Sequence, residues 1–101
     1  MRHLGSLAIT NATANHTISN ISGYKTLIFT GFEGDGVNHL DSMSMPVSAF
    51  KQGINVTVYA RALQNYYATI LIKYVNDTTI TCVPRELVGW SGVGIRVYGL
   101  I

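Results

Sequence analysis

The chain has 101 residues, enough for one small domain and too few for two separate hydrophobic cores. Hydrophobic residues make up 48% of it and charged residues only 12%, against roughly 25% in ordinary soluble domains. The apolar content excludes intrinsic disorder, and no apolar run reaches the roughly 20 residues that cross a bilayer, so we expect no membrane insertion. A net charge of +2 is too small for the electrostatic footprint of a nucleic-acid-binding protein.

The single cysteine, Cys82, excludes an intramolecular disulfide, which is the usual reinforcement of a small secreted domain. Packing alone must therefore hold the fold. A small chain with little surface charge also gains stability by burying part of its surface between copies of itself. We expect an oligomer.

The N-terminal part of the chain does not resemble a domain. We expect residues 1–6 to be a remnant of cloning that contributes nothing to the fold. Residues 7–22 are small and polar with widely spaced isoleucines, Ile9, Ile18 and Ile21. This pattern predicts a shaft or linker whose isoleucines pack against other chains rather than against their own domain.

From residue 23 onward, short runs rich in Tyr, Ile, Val, Thr and Phe alternate with Gly, Asn, Asp and Pro, which is typical of an all-β domain. Residues 23–101 are assigned to this domain, with no helix. Strands are predicted near residues 24–30, 45–50, 54–60, 67–75, 78–83 and 93–100. Their spacing of about ten residues favours a small antiparallel β-sandwich or jelly roll.

Two of these strands carry clear patterns. Near residues 54–60, Ile54, Val56 and Val58 share one face, so this strand is predicted to be half buried. Residues 67–75 are apolar on both faces, which predicts a central strand covered on both sides, with another subunit as one candidate cover. Residues 75–78 are predicted to form a tight hairpin, because Asn76 and Asp77 tolerate the positive φ of such a turn.

Three connections, near residues 31–41, 61–66 and 84–92, combine aromatic side chains with amides and acids. Exposed rings stack on sugars while neighbouring amides bind the hydroxyls, so these connections predict a receptor-binding site. The candidate receptor-binding residues are Asp35, Asn38, His39, Gln64, Asn65, Tyr66 and Trp90. Trp90 is also a candidate for an anchor in the core or at a subunit contact, and so is Tyr67, which follows Tyr66 in the chain.

No enzyme or cofactor site is predicted. Glu33, Asp35 and Asp41 share a glycine-rich segment, but they fit a solvated turn better than a catalytic pair or a calcium loop. The three histidines have no zinc-ligand spacing, and Cys82 lies inside a predicted strand. Nucleophile-elbow and phosphate-loop motifs are absent from the sequence.

Five Asn-X-Ser/Thr sequences begin at Asn11, Asn15, Asn20, Asn55 and Asn76. They match the acceptor pattern of a secreted glycoprotein. The lack of a recognisable signal peptide favours chance matches in a chain rich in Asn, Ser and Thr.

The segments SGYKTLIFTGFEG, MSMPVSAFKQG, YYATILIKYVNDTTITC and GWSGVGIRVYGLI cover much of the chain from Ser22 to its end. In these segments, and above all in the closing GIRVYGLI of residues 94–101, the chain resembles the C-terminal domains of tail fibres and tailspikes of tailed bacteriophages. Many such fibres end on a similar apolar strand. The Ser-Lys protease signature of the self-cleaving domains that end some fibres is missing, so self-processing is not expected.

This resemblance implies a homotrimeric tip domain on the virion that attaches to lipopolysaccharide, capsule or an outer-membrane protein of the bacterial host. Two alternatives stay open: a purely structural trimer clamp, and an accessory domain of a polysaccharide depolymerase. The residues expected at the trimer interface are Ile18, Ile21, Tyr67, Val97, Tyr98 and Leu100.

Overall fold

The computed structural model describes residues 1–33, 39–63, 66–88 and 93–101, and most of them form antiparallel β-sheet. The elements are β1 (Arg2–Ile9), β2 (Ala14–Thr17), β3 (Thr26–Glu33), β4 (His39–Pro46), α1 (Val47–Lys51), β5 (Val56–Leu63), β6 (Tyr66–Asn76), β7 (Thr79–Val88) and β8 (Val93–Leu100).

The strands form two four-stranded sheets. The first sheet has the order β1-β8-β3-β4 and the second sheet the order β2-β7-β6-β5, with antiparallel neighbours throughout. Strands that follow one another in the chain form the hairpins β3–β4, β5–β6 and β6–β7. The two N-terminal strands instead pair with β8 and β7, near the other end of the chain. The predicted all-β class with two antiparallel sheets is confirmed.

One hydrophobic core lies between the sheets. Alternate residues of each strand point into it, as the period of two requires. Leu27 and Phe29 from the first sheet and Ile70 and Ile72 from the second are fully buried in this one core. The two sheets therefore form a sandwich.

The N-terminal residues are part of this sandwich. Residues 7–22 contribute strands to both sheets, and Ile9, Ile18 and Ile21 lie in the core of their own chain. The expectation that these isoleucines pack against other chains is corrected, because within one chain they are already removed from water. Leu4 is buried as well, so residues 1–6 cannot be left out of the fold.

The helix α1 replaces the strand predicted near residues 45–50. Pro46, which ends β4, has no N–H to donate to a sheet, and its backbone serves as the N-cap of the helix. Gly53, just beyond the helix, adopts the positive φ of +95° that commonly closes a helix C-terminus. Val47 and Phe50 are buried, and the Phe50 ring lies 5.8 Å from that of Phe29, so α1 covers one end of the core.

Strand β6 is central, as predicted, but its two faces differ. Ala68, Ile70 and Ile72 are fully buried, whereas Lys73 and Val75 on the opposite face are exposed. Within one chain, the second sheet is therefore covered on one face only.

The predicted hairpin between β6 and β7 is present. The Asn76 Oδ1 accepts a hydrogen bond from the Thr78 N–H at 2.9 Å, so the turn is closed by a side chain. None of the described non-glycine residues has a positive φ. The prediction that this turn uses a positive φ is therefore wrong.

Candidate functional site

The strand ends that flank the three predicted binding connections lie at one end of the sandwich, here named the loop end. In the first sheet, the last residue of β3, Glu33, and the last of β1, Ile9, both pair with Val93 at the start of β8. In the second sheet, Tyr67 near the start of β6 pairs with Val88 at the end of β7. Because only four residues join the end of β7 to the start of β8, these strand ends of the two sheets lie at the same end of the sandwich.

Of the predicted receptor-binding residues, Asp35, Asn38, Gln64, Asn65 and Trp90 lie outside the described residues. His39 and Tyr66 were expected in connections, but His39 begins β4, a strand that was not predicted there, and Tyr66 begins β6 one residue earlier than predicted. All seven are therefore next to the loop end along the chain.

The outer face of the second sheet carries a pair of tyrosines near the loop end. The rings of Tyr59 in β5 and Tyr67 in β6 have centroids 6.1 Å apart and planes 30° apart. Tyr59 is 44% exposed and Tyr67 is half-buried. They point outward because Val58 and Ala68, their neighbours in the chain, point into the core.

Hydroxyl and aliphatic side chains surround these rings. The strand register places Thr69 opposite Tyr59 and Leu71 opposite Thr57, so all of them share the outer face. We name this surface the aromatic face: Thr57, Tyr59, Tyr67, Thr69 and Leu71.

The aromatic face has the chemistry of a sugar-binding surface. Tyrosine rings present a flat apolar surface to the C–H groups of a sugar, and phenol and threonine hydroxyls exchange hydrogen bonds with its hydroxyls. The face is part of an open sheet rather than an enclosed pocket, so it suits an extended polysaccharide better than a small isolated ligand.

A shallow groove of about 240 Å³ lies beside β7 and presents polar groups to the solvent. It is lined by Asn11, Pro84, Arg85, Glu86 and Leu87. The groove follows an irregularity in β7, where Thr69 pairs with Glu86 but the next residue of β6 pairs with Pro84. Arg85 and Glu86 are exposed and offer both charges to a ligand.

Metal binding and thiol chemistry have little support in the described part of the chain. The described residues contain no group of three His, Cys, Asp or Glu side chains that could hold a metal ion. Cys82 is buried in β7, and burial raises its pKa to about 12, which keeps the thiol protonated and unreactive. Among the helical residues described, none belong to a helix long and apolar enough to span a membrane.

Sequence reasoning missed Tyr59 as a site residue. The alternation of residues 54–60 places Tyr59 on the outward face of its strand, which was an available signal. The sequence does not show the register that brings Tyr59 beside Tyr67. Tyr67 itself, proposed as a core or subunit anchor, is outside the core of its own chain.

No family model, curated protein or solved structure matches the chain.

Proposed function

We propose that the chain is the tip domain of a tail fibre or tailspike of a tailed bacteriophage, and that it attaches the virion to a bacterial surface polysaccharide. It acts by binding, without catalysis, and it does so as a homotrimer. The resemblance of residues 22–101 to such domains supports this function. An outer-membrane protein is the other receptor class that the resemblance implies.

The observation that carries the proposal is the aromatic face with its exposed Tyr59–Tyr67 pair beside the loop end. Stacking on two rings favours a polysaccharide over a protein receptor, because successive sugar units repeat the same flat surface. Each site binds weakly by itself. Three copies on one fibre combine such sites into firm attachment through effective concentration.

The trimer is supported by apolar side chains that one chain leaves uncovered. Tyr98 and Leu100 are half-buried on the outer face of the first sheet, and they stay candidates for the interface. Tyr67, which was also expected there, belongs to the aromatic face of the second sheet and is assigned to receptor binding instead. The other residues expected at the interface are buried in the core of one chain, so the proposed interface does not include them: Ile18, Ile21 and Val97.

A purely structural trimer clamp is the second candidate. It is favoured by the half-buried Leu71 and the exposed Val75 on the outer face of β6, which a neighbouring subunit would cover. In a clamp, the aromatic face lies between subunits and is closed to polysaccharide.

Adsorption to bacteria tests the proposal. The chain is fused to a fluorescent protein and incubated with a panel of hosts, with and without periodate oxidation of their surface sugars. We expect adsorption to at least one host, its loss after periodate, and a reduction of at least about tenfold in Tyr59→Ala, since a weakened site is repeated three times.

The matched control is Met43→Ala, which removes a side chain of similar exposure, 46%, from the first sheet. Equal adsorption of both variants would show that the aromatic face is not the site. A trimer that adsorbs to no host would favour the clamp, and loss after protease rather than periodate would indicate a protein receptor. Reducing ends released from host polysaccharide would indicate a depolymerase.

A further inference from the structure

A second groove lies at the end of the sandwich opposite the loop end. It has a volume of about 510 Å³ and is formed by the β2–β3 connection and α1. Its lining residues are Ser22, Gly23, Tyr24, Lys25, Val47, Ser48 and Lys51. We propose that this groove, named the lysine groove, binds an acidic sugar unit, that is, a sugar bearing a carboxylate or phosphate. The inference rests on the proposed attachment to bacterial polysaccharide and adds a ligand class and a second site.

The walls of the lysine groove are held by backbone hydrogen bonds. The Lys25 N–H donates to the Leu100 carbonyl at 2.8 Å, and the Lys25 carbonyl accepts from the Val47 N–H at 2.9 Å. These two bonds tie the β2–β3 connection to β8 and to α1. Because the walls are formed before a ligand arrives, binding costs little ordering of the chain.

The Tyr24 ring is fixed as the apolar part of the lining. It packs over Gly99, where a Cβ atom would lie only 2.6 Å from the nearest ring atom. Tyr24 is half-buried, and it lines the groove together with the buried Val47. This arrangement offers the exposed part of the Tyr24 ring to the C–H surface of a sugar.

Two ammonium groups give the groove an excess of positive charge. The Lys51 Nζ lies 3.0 Å from the Asp77 Oδ1, which also accepts a hydrogen bond from the Tyr74 hydroxyl at 2.8 Å. Lys25 is exposed, and its side chain has no ion pair or hydrogen bond to the other described residues. Lys25 and Lys51 are the charged residues of the lining, and with Lys51 paired to Asp77, the Lys25 ammonium is the lining cation left for a ligand anion.

The charge and the lining together select the ligand. A neutral sugar makes no contact that uses the Lys25 charge, and a bare anion makes none with the Tyr24 ring. The hydroxyl of Ser22 donates to the Asn20 Oδ1 at 2.6 Å, so the Ser22 oxygen is left to accept a hydrogen bond from a sugar hydroxyl. A single excess charge is too little for a polyanion such as nucleic acid.

The test is an NMR titration of the isolated, isotope-labelled chain with sodium D-glucuronate. D-glucose, sodium acetate and inorganic phosphate serve as separate comparison ligands. We expect glucuronate to shift the backbone amides of residues 22–25 and 47–51, with much smaller shifts from glucose and acetate at the same concentration. Glucose 6-phosphate compared with inorganic phosphate tests the phosphate-bearing form of the ligand in the same way.

Substitutions of single lysines test whether the Lys25 ammonium binds the anionic group of the ligand. We expect Lys25→Gln to raise the dissociation constant for glucuronate at least threefold and Lys25→Arg to leave it nearly unchanged. The matched control is Lys73→Gln, which removes an exposed lysine from the outer face of the second sheet and should have no effect. Unchanged spectra elsewhere in each variant show that it has folded.

Several results would overturn the inference: no shifts with glucuronate, equal shifts with acetate, or equal weakening by Lys25→Gln and Lys73→Gln. This outcome is distinguishable from failure of the proposed function. Adsorption to bacteria that depends on Tyr59 but is unaffected by Lys25→Gln rejects the lysine groove alone. Glucuronate binding in the groove without adsorption to any host rejects the attachment function alone.

Discussion

Truncation of Ile21 tests whether the N-terminal residues belong to the core of their own chain. Ile21 is 0% exposed in a single chain, and its N–H donates to the Asp77 carbonyl at 2.9 Å. Ile21→Ala removes three buried carbon atoms, worth about 0.8 kcal/mol each, or roughly 2.4 kcal/mol in total. The cavity left behind raises the loss in the free energy of unfolding to about 3–4 kcal/mol.

The assay is urea unfolding followed by circular dichroism at two protein concentrations tenfold apart. For a chain of this size we also expect the Tm to fall by at least about 10 °C. The control is Ile54→Ala, because Ile54 is 55% exposed and its truncation should change the free energy by less than about 0.5 kcal/mol. A loss for Ile21→Ala no larger than that of the control would refute the assignment to the core. A loss seen only at the higher concentration would place Ile21 between chains.

Three further outcomes follow from described contacts. Gly99→Ala puts a methyl group 2.6 Å from the Tyr24 ring, so we expect a loss of about 1–3 kcal/mol in urea unfolding, and unchanged stability would contradict this packing. Hydrogen bonds from Tyr74 and Lys51 lower the pKa of Asp77 below its unfolded value of 3.8. The Asp77 carboxylate therefore stabilises the fold fully above this unfolded pKa, and the contribution is lost as the pH falls through the lower folded pKa. Asp77→Asn should therefore flatten the dependence of unfolding free energy on pH over this acid range, and an unaltered acid limb would argue against the contact. Burial raises the pKa of Cys82 to about 12, so an aromatic disulfide reagent at pH 8 should label it only in urea, and rapid labelling of the folded chain would contradict its burial.

The fold was most predictable where partners are neighbours in the sequence. The strands near residues 54–60, 67–75 and 78–83 correspond to β5, β6 and β7, which pair in chain order, and the last two are joined by the expected hairpin. Residues 7–22 were misread because their strand partners, β8 and β7, lie more than 60 residues farther along the chain. A segment with few isoleucines forms strands when distant strands complete its core, and no local pattern shows this.

The predictions missed the helix α1 and the Tyr59–Tyr67 pair for related reasons. Val47 and Phe50 in α1 are residues typical of strands, and the helix is too short for a 3.6-residue period to appear. Pro46 before it and Gly53 after it were the available signals. At the site, the sequence places Tyr59 outward on its strand, but only the register between β5 and β6 brings its ring to that of Tyr67.

The native mass of the chain in solution, measured by light scattering, tests the proposed fibre tip most directly. We expect a mass three times that of the 11.0 kDa chain, retained on dilution to micromolar concentration. A trimer would join the low surface charge, the half-buried Tyr98 and Leu100 on the outer face of the first sheet and the resemblance to fibre tips in one assembly. A stable monomer would contradict the fibre-tip proposal and leave the chain as an isolated β-sandwich with a sugar-binding face.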